Sequence, residues 1–206
     1  MRRLYFLLPA LISLASCTSH QYLHKANKIL ATSPIVDTHI DFPWNLTEND
    51  KWYKPGYTAL ALQNPEGDFD FMRAKKGGLY GAFMSIYIPS RYQLEPGRPK
   101  QVADSLINMI HEIARNHPAQ FALALHADDV LRNFQKGIVS LPMGMENGAP
   151  VETLADVAYF HKRGIRYITL THGKDNQISD SSYDTTRING GLSDYVRMDT
   201  RDLLPV

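Results

Sequence analysis

At 206 residues the chain is long enough for one domain of ordinary size with a real core. Its 44% hydrophobic and 21% charged composition is that of a globular protein, and a formal net charge of +1 without a basic stripe leaves no footprint for nucleic acid or an acidic partner. The single cysteine excludes an internal disulfide framework and Cys-based zinc sites, so any metal must be held by His, Asp and Glu.

The chain opens on a targeting segment. Arg2 and Arg3 form a positive region, and residues 4–15 form an apolar run. That run is short of the about 20 apolar residues of a membrane span and fits a signal peptide. It ends in Leu14-Ala15-Ser16-Cys17, which resembles a bacterial lipoprotein box, where the Cys is lipidated and becomes the new N-terminus. The blander reading is an ordinary signal peptide with an incidental Cys17. Thr18 after the Cys, rather than Asp, suggests the outer membrane. The expected location is the bacterial cell envelope, lipid-anchored on the periplasmic side. Residues 1–17 are therefore set apart from the fold.

Residues 20–31 predict a short helix with Leu23, Ala26, Ile29 and Leu30 on one side, stopped by Pro34. A strand starting at Pro34-Ile35-Val36 follows and carries His39 and Asp41, two apart and so on one face. Residues 44–76 are polar and broken by Pro55, Gly56, Pro65 and Gly67, and predict a long irregular loop of the lid or binding kind, with a short helix over 71–76. Trp44, Trp52, Tyr53 and Tyr57 in that loop suit either a substrate cleft or packing on a rim. Residues 79–88 form a nearly continuous apolar strand, as in a parallel sheet covered on both faces. Residues 99–117 predict the clearest helix, its stripe being Val102, Leu106, Met109, Ile110 and Ile113. A strand at 121–125, a short helix opened by His126-Ala127-Asp128-Asp129, and a strand over 138–145 delivering Glu146 come next. A helix over 152–163, with Leu154, Val157, Ala158 and Phe160 as its apolar side, closes at Gly164. Residues 165–172 form a last strand ending in His172.

Alternating strands and helices imply parallel βα units. Three strands end in groups capable of chemistry: His39 with Asp41, then Glu146, then His172. In a parallel barrel such groups converge at the C-terminal face. The pattern alone does not separate a barrel from an open doubly wound sheet. Each residue also has a structural reading: His39 and His172 as core histidines, Asp41 and Glu146 as caps. No phosphate-binding glycine loop, nucleophile elbow or internal repeat is present, and the other six histidines lack partner motifs.

Four motifs in order carry a family resemblance. They are Asp37-Thr38-His39-Ile40-Asp41-Phe42-Pro43; Gly77-Gly78-Leu79-Tyr80-Gly81-Ala82-Phe83 with Tyr87-Ile88-Pro89; Gly144-Met145-Glu146-Asn147-Gly148; and Arg166-Tyr167-Ile168-Thr169-Leu170-Thr171-His172 with Asn176. Together they resemble the membrane dipeptidase (renal dipeptidase, M19) family, from about residue 29 to 195. The resemblance implies an α/β fold, the N-terminal part of a (β/α)8 TIM-type barrel, and two zinc ions. It implies His39 and Asp41 as ligands of one zinc, and Glu146 as the carboxylate bridging both and serving catalysis. His172 is implied to contact substrate and the tetrahedral intermediate, with Asn176 as a further substrate-binding residue. The implied substrates are dipeptides, including those with a C-terminal D-residue; some members open β-lactam rings, and members often form homodimers.

The departure lies at residues 196–206, which lack the helical apolar stripe that the family pattern leads one to expect after Tyr195. The expectation is an incomplete barrel over residues 18–195 with an off-pattern tail, from a frameshift or premature stop, and a chain that is poorly active as given. The competing expectation, from a different class, is a non-catalytic lipid-anchored binding protein that keeps the scaffold. A different amidohydrolase-like barrel would typically begin with His-x-His rather than His-x-Asp.

Overall fold

The computed structural model describes residues 21–48 and 54–184. Cys17, Trp52, Tyr53, the signal segment and the 196–206 tail lie outside the described residues. The described residues divide into two units, one before and one after the boundary between Ile35 and Val36. In the first, residues 21–30 are helical, as the spacing predicts.

The elements alternate as expected. Strand β1 is Ile35–Ile40, helix α1 Phe42–Glu48, helix α2 Phe71–Gly77 and strand β2 Leu79–Tyr87. Helix α3 is Arg98–Asn116, strand β3 Phe121–Leu123 and helix α4 Ala127–Gln135. Strands β4 and β5 are Val139–Leu141 and Met143–Glu146, helix α5 is Leu154–Arg163 and strand β6 Ile165–Thr169. They form one sheet in the order β3-β4-β2-β5-β6, with β1 also on β2. The pairs β2–β4, β2–β5, β3–β4 and β5–β6 are all parallel. The predicted strand over 138–145 is thus two, because Pro142 has no N–H to give the ladder. Gly81↔Ser140 and Met84↔Met143 keep one register across that break, so β4 and β5 act as a single line beside β2.

Period-two alternation divides the sheet from Phe83 onward. Met84, Ile86, Ile88, Met143 and Met145 are buried, on the side opposite Ser85, Tyr87, Gly144 and Glu146. The first set joins Leu106, Ile107, Met109, Ile110 and Ile113 of α3 in the hydrophobic core. Burying these side chains, each worth about 1.5–3 kcal/mol, anchors α3 to the sheet. The second set lines the other face, and the candidate site is built there.

Helix ends follow the sequence. Asp70 caps α2, its carboxylate accepting from the Arg73 N–H at 2.8 Å, and Gly78 ends it with φ 78°. Asp156, in the first turn of α5, accepts from the Thr153 N–H at 2.8 Å and the Lys100 Nζ at 2.5 Å, tying α5 to α3.

Three expectations are corrected. The stretch over residues 44–76 is not one irregular loop: α1 begins at Phe42, a 3-10 turn spans Tyr57–Ala61, and Phe42, Pro43 and Leu46 are buried. Proline at the second position of α1 suits a first turn, and Phe42 and Leu46, four apart, share one face. Trp44 packs edge-on against Tyr87, and the Tyr57 hydroxyl reaches Glu112 of α3 at 2.6 Å. On α5 only Asp156 and Phe160 are buried; Leu154 and Val157 point outward, contrary to the predicted apolar side. Finally, β6 ends at Thr169, so His172 stands on the loop beyond the strand.

Candidate metal centre

Two strand ends bring the first three candidate groups together. Asp41 immediately follows β1, which carries His39, and Glu146 is the last residue of β5. The Nε2 of His39 lies 3.3 Å from Asp41 Oδ1 and 3.3 Å from Glu146 Oε2. One atom from each of the three residues falls within 4.8 Å of the others. A tetrahedral zinc with bonds of about 2.0–2.1 Å would hold its ligand atoms about 3.4 Å apart. Charge-assisted hydrogen bonds, by contrast, are about 2.7–2.9 Å long. The two His39 distances fit ligands that share a cation, which makes the three residues a candidate metal group. The donor set, one imidazole and two carboxylates, suits a borderline ion such as zinc.

The surroundings fix these groups. Glu146 is the most enclosed, its side chain 16% exposed against 41% for His39 and 50% for Asp41. Ser85 Oγ donates to Glu146 Oε2 at 3.0 Å. The Tyr167 hydroxyl donates to the Thr38 carbonyl at 3.0 Å and lies 3.4 Å from His39 Nδ1. That arrangement favours a proton on Nδ1 and leaves the Nε2 lone pair facing the carboxylates, as a supporting partner of a metal-bound His does. Burial, with the nearby Glu146 and Asp41 carboxylates, pushes the Tyr167 hydroxyl above its usual range, so it stays protonated.

On its way to β1 the Tyr167 side chain passes over β5. It pairs with Gly144, and a Cβ on Gly144 would lie 2.0 Å from the Tyr167 ring. Glycine is required there by close approach. Phe83 flanks the ring at 5.5 Å.

His172 reaches the same carboxylate from the far side, its Nε2 3.3 Å from Glu146 Oε1. Its ring rests against Tyr87 at 5.1 Å, and Tyr87 in turn touches Trp44 at 5.3 Å. Burial and the Glu146 charge push the Tyr87 hydroxyl up as well. Asn176 is close but committed. Its Nδ2 donates to Asn147 Oδ1 and the Leu170 carbonyl, and its Oδ1 accepts from the Ile178 and Ser179 N–H groups. Both donors and both acceptors are used, which leaves none for a substrate in this arrangement.

Sequence reading named His39, Asp41, Glu146 and His172, and the structure places the other three around the Glu146 carboxylate. It missed Ser85, Tyr87, Tyr167 and Asn147. A period-two count from Glu146 along the paired strands would have found Ser85 and Tyr87, given the register.

Comparison with known proteins gives a family for most of the chain. The profile of the membrane dipeptidase family, peptidase family M19, matches residues 23–197. The dipeptidase ataJ of Aspergillus terreus is 30% identical over 171 residues, which is 79% of this chain and 41% of that protein. An uncharacterized dipeptidase of Schizosaccharomyces pombe is 29% identical, over 87% of this chain and 46% of its own length. Among solved structures, the dipeptidase AC, an M19 metallopeptidase, superposes with a TM-score of 0.63 at 25% identity, over 72% of this chain and 46% of that one. A metallopeptidase from Rhodobacter sphaeroides, solved with a phosphinate mimic of the dipeptide L-Ala-D-Ala, gives 0.63 at 23%, over 72% and 48%. The chain spans less than half the length of these relatives. Among the described residues, no helix is long and apolar enough to cross a membrane.

Proposed function

The chain belongs to the membrane dipeptidase family, peptidase family M19, and from that membership we propose that it supplies one wall of a two-zinc site that hydrolyses dipeptides. The observation that carries the reading is the approach of His39, Asp41 and Glu146 to ligand spacing. His39 Nε2, an Asp41 oxygen and Glu146 Oε2 would hold one zinc. Glu146 would also be the ligand shared with a second ion, its other oxygen lying 3.3 Å from His172 Nε2. Ions held there would lower the pKa of a water molecule and act as Lewis acids toward a carbonyl.

The residues of this chain do the rest. Ser85 holds Glu146 by a hydroxyl hydrogen bond, and Tyr167 orients His39. His172, half-exposed beside Glu146, would contact the substrate and donate a hydrogen bond as charge develops on its carbonyl oxygen. Dipeptides as substrates are supported by the dipeptidases among the relatives and by the L-Ala-D-Ala mimic held by the Rhodobacter sphaeroides protein.

A catalytic zinc takes about three protein ligands, and among the described residues only one group of three gathers. The described residues thus offer ligands for one ion and not for two, and weak metal binding with slow turnover is the expectation for this chain tested by itself. The test is zinc-dependent release of D-alanine from L-Ala-D-Ala. Slow release that disappears in Glu146→Gln is expected; release indifferent to zinc and to Glu146 would overturn the reading. A purely binding role has no observation in its favour and would show as metal-loaded protein with no release at all.

The Leu14-Ala15-Ser16-Cys17 motif supports lipid anchoring at the cell envelope through Cys17. Labelled palmitate should enter the wild-type chain and not Cys17→Ser; equal labelling of both would sink the idea.

A further inference from the structure

Directly after Glu146 stands Asn147, the one non-glycine with positive φ (77°) among the described residues. It is fully buried. The left-handed backbone by itself would be met more easily by glycine. What asparagine adds is an amide, and that amide is used completely. Its Nδ2 donates to the Ile88 carbonyl and to Gln93 Oε1, both at 2.8 Å. Its Oδ1 accepts from the Ala149 N–H at 3.2 Å and from Asn176 Nδ2 at 2.9 Å. One side chain thus ties together the segments that follow β2, β5 and β6.

The two partners carry the ties onward to the stretch that bears His172. Asn176 Nδ2 also donates to the Leu170 carbonyl at 2.7 Å, and Gly148 N–H reaches the same oxygen at 3.2 Å. Gln93 Nε2 donates to the Asp175 carbonyl at 2.6 Å. His172 therefore sits between two carbonyls, Leu170 and Asp175, each held by a group that Asn147 holds. The His172 ring itself is half-exposed, with Tyr87 and Glu146 as its side-chain contacts. Its place beside Glu146 is set by its loop more than by packing of the ring.

We propose that Asn147 is a positioning residue that fixes His172 against Glu146 by clamping the loop after β6 to the ends of β2 and β5. Buried amide groups left unpaired are strongly disfavoured, so the network holds as a unit or loosens as a unit. The functional weight of the proposal rests on the dipeptidase reading of Glu146 and His172. The placement itself does not, and it is measured without metal or substrate.

The experiment uses the full chain with isotope-labelled histidine and follows the through-space NMR cross-peak between the His172 and Tyr87 rings. His111, whose Nε2 lies 3.1 Å from the Arg163 carbonyl, is the internal control for folding. Asn147→Gly keeps the left-handed backbone and removes the amide. The expected result is a cross-peak in the wild type, lost in Asn147→Gly while the His111 signal stays in place. If Asn147 were only a turn residue, Asn147→Gly would keep the cross-peak, and that result overturns the proposal. So does its absence from the wild-type chain. Should Asn147→Gly lose the His111 signal as well, Asn176→Ala reads the same link from the loop side, with loss expected and retention overturning. Metal content and turnover do not enter, so failure of the dipeptidase reading is told apart from failure of the clamp.

Discussion

At the residue scale the site is a matter of strand parity and one missing side chain. His39 and Asp41 share a face because they are two apart, and Glu146 joins them because Tyr87↔Glu146 closes the register between β2 and β5. Tyr167 reaches His39 because Gly144 lets its ring pass. Gly144→Ala would drive a methyl into that ring, and overpacking of this kind costs about 1–3 kcal/mol. Urea unfolding should show that loss, and Gly144→Ala combined with Tyr167→Ala should restore much of it. A Gly144→Ala chain of unchanged stability would contradict the crossing. The ligand candidates were legible in the sequence because imidazole and carboxylate at successive strand ends form a recognisable pattern. Ser85, Tyr167 and Asn147 were not, since a serine or tyrosine in an apolar strand looks like packing until the register names its neighbour. Asn176 shows the reverse: a motif position read as a substrate contact has its amide taken up by Asn147, Leu170, Ile178 and Ser179.

Among the elements, the helix ends carry a pH dependence whose sign can be worked out. The Asp129 carboxyl is held below its usual range by the Leu125 and His126 N–H groups. For Asp70 and Asp156 burial acts in the opposite direction but is outweighed, by the Arg73 and Asn64 N–H groups for the first and by Lys100 and Thr153 for the second. Burial also lowers His111, which stays neutral in the fold. For all four the unfolded chain takes up protons before the folded one does. Their contribution is therefore complete above about pH 6.5, falls first as His111 would protonate, and falls again below about pH 4 with the carboxylates. The urea midpoint should drop from pH 7 to pH 5.5 and further at pH 3.5; a flat or rising midpoint would contradict these assignments. The long amphipathic helix α3, the acidic start of α4 and the end of α5 at Gly164 were legible from spacing, Asp128-Asp129 and the closing glycine, whereas the Asp70 and Asp156 caps emerge only from the structure. Helix α1 was not, because Pro43, Trp44 and Asn45 read as loop composition, and burial of Phe42 and Leu46 decides the matter through tertiary packing. The outward stripe of α5 was misread for a similar reason: periodicity shows that a helix has an apolar side, not what that side meets.

For the molecule as a whole, the chain matches the dipeptidase relatives over most of its own length and less than half of theirs. The parallel sheet with helices was legible from alternation of periods, and barrel membership came from the ordered motifs. What the described residues assemble is one cluster: His39 from β1, Asp41 just after it and His172 from the loop after β6 gather around the Glu146 carboxylate at the end of β5. The most direct test is a zinc titration of the full 206-residue chain against a competing chromophoric chelator, alongside His39→Ala and Glu146→Gln. Supporting residues around a metal already change affinity by about tenfold or more, so each ligand change should weaken binding at least that much while the helical signal is retained. Saturable zinc binding in the wild type with that loss in both variants is the result expected. No binding in the wild type, or equal binding in all three, would show that these residues do not form a metal centre.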